Sequence, residues 1–241
     1  MKKPLFRLLL DNLPPLTVTL FVLSVVGMNL LANKSIDLGV PWLALDCGIL
    51  LSWLSFLTMD ILTKRYGPRE ATFLAFLALV INLMMALLFF LSSIIPGVWS
   101  ASFVPDGADL INSALDRTFA GTWYIILGSS AAFFVSAVIN NFLNYGIGKL
   151  LAHRDGFSVF AIRSYLSTGI AQFSDNFLFA LLVSRPFFGW SLLQCLTCAL
   201  TGALLELLFE VFFSPIGYHT VKKFEERKVG QAYLEQREKN T

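Results

Sequence analysis

Charge is scarce in this chain. Only 14% of its 241 residues are Asp, Glu, Lys or Arg, while 56% are apolar; soluble domains carry about 25% charged residues. That deficit excludes an ordinary water-soluble globule and places the chain among integral membrane proteins. Histidine is nearly absent, with only His153 and His219, and there are three cysteines, Cys47, Cys195 and Cys198. Cys195 and Cys198 have CxxC spacing, but zinc would need further ligands and both histidines fall at expected helix ends, so no metal is expected. In apolar runs such cysteines read as small packing residues. No P-loop occurs, so the chain does not hydrolyse ATP itself. The net charge of +2 follows the distribution of basic residues by topology, so no nucleic-acid partner is implied, and no cofactor is expected. The first apolar run lacks a small-residue cleavage site and is followed by many more, so it reads as a span and not a leader.

What the chain has in abundance is long apolar segments, with 23 Phe and 5 Trp suited to lipid-facing and interfacial positions. A hydrocarbon core about 30 Å thick needs about 20 residues of helix. Six segments qualify, at about 13–33, 42–63, 70–95, 119–150, 163–185 and 189–220. The expected fold is therefore all-α: a polytopic membrane protein with one six-helix domain over 1–221. A charged tail follows at 222–241, a cytoplasmic helical extension or a disordered segment, too short to be a domain. Pro215, with Gly217 two residues on, predicts a kink or break in the sixth helix.

Basic residues set the expected orientation. Fifteen of the 18 Lys and Arg flank the segments on one side: Lys2, Lys3 and Arg7; Lys64, Arg65 and Arg69; Lys149, Arg154 and Arg163; and six after residue 221. The other side has Lys34, Arg117 and Arg185. The positive-inside rule then puts both termini in the cytoplasm, and the connection at about 96–118, with Asp106, Asp109 and Asp116, outside.

Polar residues inside the apolar segments are the candidate functional groups. Asp175 lies near the middle of the fifth, where a carboxylate costs roughly 2.5–3.5 kcal/mol. Ser164, Thr168, Gln172 and Asp175 recur at spacings of four, four and three, and so share one helix face. The sixth segment carries Gln194, Cys198, Gly202, Glu206 and Glu210 strictly by fours. Asp46 and Asp60 in the second are fourteen apart and share a rough face. Asn82, Ser136 and Asn140 read as packing groups between helices. Asp60 reads either as functional or as an interfacial acid paired with Lys64 or Arg65. Asn141-x-x-Asn144 and Gln172-x-x-Asp175 form a weak internal echo.

Three stretches resemble a known family. FLTMDILTKRYGPREA (56–71) is similar to the second-helix motif D-I-L-T-E-x-Y-G-x-K-x-A of the VUT family, the queuosine-precursor transporters. Asp60, Ile61, Leu62, Thr63, Tyr66, Gly67, Arg69 and Ala71 match. IRSYLSTGIAQFSDNFLFALL (162–182) is similar to that family's R-x-x-x-S-T-x-x-x-Q-x-x-D run, with Arg163, Ser167, Thr168, Gln172 and Asp175 matching. SPIGY (214–218) resembles a T-P-x-x-Y segment. The chain departs from the pattern at Lys64, where the family has Glu, and at Asn141 and Asn144, which stand for Gln and Asp. Glu206 lies near the place of a basic residue, so Lys64 and Glu206 are expected to exchange the signs of a family ion pair.

The resemblance implies a multi-pass importer of 7-deazaguanine bases such as queuine, in a bacterial cytoplasmic (inner) membrane. A carboxylate can accept the adjacent N–H and amine of a guanine-like edge. Asp175 is the candidate for that, with Gln172, Thr168, Asn141, Asn144, Asp60 and Glu206 as further substrate-binding residues. Phe173, Phe177, Tyr145 and Trp53 are available for stacking. Asp175, Glu206 and Glu210 are candidates for proton coupling. The expected partners are a small-molecule substrate and the lipid bilayer, with a homo-oligomer left open. Two other readings stand beside this one: a substrate-binding subunit or transporter for another vitamin-like compound, and an intramembrane enzyme using Asp60 and Asp175 as a dyad.

Overall fold

A computed structural model describes residues 5–36, 39–40, 45–99, 107–154 and 156–239. Lys2, Lys3, Asp106 and the first residues of the second expected segment (42–44) lie outside that range. Among the described residues the chain is almost wholly helical. The elements are α1 (Leu5–Asn12), α2 (Pro15–Leu31), the two-residue strands β1 (Ser35–Ile36) and β2 (Leu45–Asp46), α3 (Ile49–Tyr66), α4 (Pro68–Ile94), α5 (Ala108–Leu150), α6 (Phe157–Phe179), α7 (Arg185–Phe188), α8 (Leu192–Glu226) and α9 (Gln231–Glu238). Helices α2, α3, α4, α5, α6 and α8 fall on the six expected segments.

Four helical stretches are long and apolar enough on their own to cross a membrane: α4, α5, α6 continued to Phe187, and α8. The pair α1 and α2 qualifies only when taken together, across a 92° bend. Leu13 and Pro14 make that bend, because Pro14 and Pro15 both lack an N–H with which to continue α1. Helix α3 falls outside this set because Lys64 and Arg65 lie within its 18 residues, while Ser52, Ser55, Thr58, Asp60 and Thr63 lower its hydropathy further. All five are buried, and α3 packs against α2, α4, α5 and α8. Surrounded by protein and not by lipid, α3 can carry polar groups that find partners inside the bundle.

The lipid-facing sides follow the helical period. Along α8, Leu196, Leu200, Leu204, Leu208, Phe212 and Ile216 are exposed, while Cys195, Ala199, Gly202, Ala203, Glu206 and Glu210 turn inward. The expected break at Pro215 does not occur, and α8 runs through it to Glu226. Proline 215 cannot bond the Val211 carbonyl four residues earlier. The Ser214 hydroxyl donates to that carbonyl at 3.1 Å instead, and Tyr165 lies 2.7 Å from Ser214.

Two further expectations are corrected. Helix α5 begins at Ala108, eleven residues before the expected start. Trp99 fastens the preceding chain to it: the Trp99 N–H donates to Asn112 at 2.9 Å, its indole N–H donates to Asp116 at 2.7 Å, and its ring stacks on Phe119. The tail boundary at residue 221 falls inside α8, and the rest of the tail folds back as α9 against α1. There Glu70 accepts from the Tyr233 hydroxyl at 2.8 Å and from Arg237 at 2.9 Å. Arg237 also bonds the Tyr66 carbonyl, the Tyr66 hydroxyl donates to the Asn12 carbonyl, and Arg65 donates to the Val229 carbonyl. Burial first, and then the bond to Glu70, pushes the Tyr233 phenol up to about 12, so it stays a donor at neutral pH. Both ends of the described chain therefore meet at the basic end of the bundle.

Glu70 holds this clasp through two donors, and losing a charged acceptor from a buried site costs about 1–3 kcal/mol. Glu70→Ala is therefore expected to lower the thermal midpoint of the detergent-solubilised protein by several degrees. An unchanged midpoint would show that α9 is not held through Glu70.

Candidate functional site

The polar groups of α3, α5, α6 and α8 gather into two layers. The outer layer surrounds a cavity of about 40 Å³, in the half of the bundle away from the basic end. At about 10–15 Å³ per water, it has room for roughly three waters. Its lining includes Asp46, Ser52, Asp175, Asn176, Phe179 and Glu206. The β1–β2 pairing, Ser35 with Asp46 and Ile36 with Leu45, brings Asp46 over the start of α3. There its Oδ1 accepts from the Gly48 N–H at 2.7 Å. Glu206 accepts from the Ser52 hydroxyl through Oε1 and from Asn176 Nδ2 at 3.1 Å through Oε2. Gly202, one turn earlier on α8, makes room for this: a Cβ there would sit 2.8 Å from Asn176 Nδ2. Asp175 opens onto the cavity, with Ser136 of α5 beside its carboxyl. Three carboxyl groups thus converge on one cavity, with no lysine or arginine among the described residues of its lining.

A π-helical turn, Ala180–Ser184, follows α6 directly beyond Phe179. Such turns loosen the ordinary backbone ladder. Here the Leu182 carbonyl accepts from the Tyr124 hydroxyl at 2.8 Å, and the Cys195 thiol lies 3.7 Å from the Ala180 carbonyl.

The second layer is buried and lies nearer the basic end. Asp60, Asn140, Ser164, Thr168 and Glu210 are all fully or almost fully buried. Asp60 accepts from Asn140 Nδ2 at 2.7 Å through Oδ1. Through Oδ2 it accepts from the Ser164 hydroxyl and, at 3.4 Å, from Thr168. Ser164 Oγ also lies 2.6 Å from Glu210 Oε1. Arg163 adds a positive charge beside Asp60 and is held by Asn144, whose Oδ1 accepts from Nε at 2.9 Å and from Nη2. The two layers are stacked along α8, where Glu206 and Glu210 are one turn, about 6 Å, apart.

The expected substrate residues therefore divide. Asp175 and Glu206 line the cavity. Asp60 and Thr168 belong to the buried layer, as does Glu210. Gln172 lies between the layers on α6, fully buried, and neither amide atom has a protein partner. Asn141 and Asn144 do not line the cavity. Asn141 accepts from Thr63 at 2.9 Å and donates to Thr72 at 3.1 Å, tying α5 to α3 and α4. Asn144 donates to Ser167 at 3.3 Å while it holds Arg163. The NFLN and QFSD echo thus joins residues with different tasks. Asn140, expected to be packing, is a ligand of Asp60, whereas Asn82 does pack, donating to Ser130 at 2.8 Å.

Other expectations are corrected by distance along the helices. Glu206 pairs with Ser52, which precedes Lys64 by twelve residues, about 18 Å of α3, so Lys64 and Glu206 form no ion pair. Asp60 sits beside Ser164, about 16 Å along α6 from Asp175, too far for a carboxyl dyad. Asp60 is bonded to Asn140, Ser164 and Thr168, not paired as an interfacial acid. Of the aromatic candidates, Trp53 stacks on Phe213 with centroids 4.3 Å apart, and Phe173 stacks on Phe177. The aromatic in the cavity lining is Phe179.

Comparison with known proteins places the chain among membrane transporters. A family model described as "Putative vitamin uptake transporter" matches residues 46–220, which span both layers. No curated protein and no solved structure gives a match.

Cys198 lines the cavity and Cys195 is fully buried. In a Cys47→Ser background, a small cationic thiol reagent should therefore modify Cys198 and leave Cys195 intact. Equal modification of both, read by mass spectrometry, would contradict the cavity's placement.

Proposed function

Because the chain belongs to the vitamin uptake transporter family, we propose that it imports 7-deazaguanine bases, precursors of queuosine, across a bacterial cytoplasmic membrane. The observation that carries this reading is the convergence of Asp46, Asp175 and Glu206 on one cavity inside a membrane bundle. A guanine-like edge offers a ring N–H and an exocyclic amine side by side, and a carboxylate accepts both. In this reading Asp175 takes that edge, while Asn176 and Ser52, now turned to Glu206, supply amide and hydroxyl groups. Phe179 offers a ring face to the base. The acidic lining favours a base that carries an amine over a neutral one.

The cavity is smaller than a bicyclic base, so in this reading loading moves side chains around it. The layer below, with Asp60, Glu210 and the buried rings Phe56 and Phe133, is the barrier on the basic, cytoplasmic side. Uptake against a gradient needs a coupled ion, and intramembrane carboxyls such as Asp175, Glu206 and Glu210 suit a proton.

The test is restoration of queuosine in the tRNA of a strain lacking its own importer and supplied with one base at a time. The wild-type chain is expected to restore it at low external base. A charge-assisted hydrogen bond contributes about 1.5–3 kcal/mol, so Asp175→Asn should raise the base concentration required by about ten- to a hundredfold. Failure of every 7-deazaguanine base with the wild-type chain would sink the substrate assignment. Uptake into proteoliposomes that ignores an imposed pH gradient would remove the proton.

A further inference from the structure

Ser164 cannot satisfy both of its carboxyl neighbours with its own hydrogen. Its Oγ is bonded to Asp60 Oδ2 and lies 2.6 Å from Glu210 Oε1. A serine hydroxyl has one hydrogen to donate. If it goes to one carboxyl, the contact with the other is a hydrogen bond only when that carboxyl brings a hydrogen of its own. We propose that Asp60, Ser164 and Glu210 form a binding site for one transported proton, separate from the substrate cavity.

Charge balance supports one proton and not two. The groups facing the cluster are Asp60 from α3, Asn140 from α5, Arg163 and Thr168 from α6, and Glu210 from α8. Tyr165 bonds Ser214 one turn further along α8, and Glu206 lies one turn outward. With both carboxyls ionised, the cluster carries two negative charges against the single positive charge of Arg163. With one proton it is neutral, as a fully buried group of charges needs to be. Asp60 is the better-solvated carboxyl, with Asn140, Thr168 and Arg163 around it. Glu210 Oε2 has no protein partner, so the proton resides on Glu210. The hydrogen-bonded chain then runs from the Glu210 O–H to Ser164 Oγ, and from the Ser164 O–H to Asp60 Oδ2.

A second observation points to exchange with the cavity. Asn140 Oδ1 and both amide atoms of Gln172 are buried without protein partners. Gln172 stands one turn from Thr168 and one turn from Asn176 on α6, between the cluster and the cavity. On release, the Glu210 O–H bond breaks, the proton passes outward to a water or carboxylate of the cavity, and Asp60 stays neutralised by Arg163. Loading is the reverse, and no other reactant is needed. The coupling role rests on the importer reading; the location of the proton does not.

The test is the carboxylic C=O stretch in the infrared spectrum of the full-length protein in lipid at neutral pH, without substrate. The expected result is a protonated-carboxyl band that is lost in Glu210→Gln and displaced in Ser164→Ala, where the bridge is gone but both acids remain. A spectrum that neither variant changes overturns the proposal. So does a band that collapses when sodium is added, which would make the site a sodium site. In proteoliposomes, Glu210→Gln should reduce accumulation driven by a pH gradient to the level of passive leak. A wild-type chain that moves no base but keeps the band would sink the importer reading alone. A chain that moves base but lacks the band would sink the proton site alone.

Discussion

Every carboxyl inside this bundle must be met by a hydrogen-bond donor, a cation, a proton or a cavity, because lipid offers none of these. That requirement organises the molecule. It explains why α3, the most polar of the long helices, is enclosed by α2, α4, α5 and α8, and why the polar faces of α6 and α8 turn toward it. It also separates the acids by function. Asp175 and Glu206 open onto a cavity, while Asp60 and Glu210 are sealed with Ser164, Thr168 and Asn140. The same backbone rule shapes the details, as where Ser214 takes the carbonyl that Pro215 leaves without a donor.

Much of this was legible in the sequence because helical spacing is a strong signal. The four-residue stripes on 164–175 and 194–210 identified the faces that meet, and the basic residues marked the end where α1, the α3–α4 turn and α9 collect. The D-I-L-T-x-x-Y-G stretch reads well in the structure: Asp60 anchors the buried layer, Thr63 bonds Asn141, and Tyr66 reaches Asn12.

What remained hidden depended on rotation and pairing between helices, which spacing within one helix does not reveal. Asn140 and Asn141 are adjacent, yet one faces Asp60 and the other faces Thr72, because α5 packs on both α3 and α4. Asp46 read only as an acid near the outer end of a span, since its place over the cavity comes from a two-residue strand pairing. Asn176 lies one residue off the Asp175 stripe, and its role depends on the missing side chain of Gly202. The early start of α5 and the folding back of the tail rest on single side-chain contacts by Trp99, Glu70 and Arg237.

The cavity between Asp46, Asp175 and Glu206 is proposed to hold the transported base, with the proton held one turn below. The most direct measurement is a structure of the protein bound to a 7-deazaguanine base. The account predicts the base edge against the Asp175 carboxylate, Phe179 on its ring face, and no contact with Asn141 or Asn144. A base seated among Asn141, Asn144 and Arg163, or outside the bundle, would contradict it.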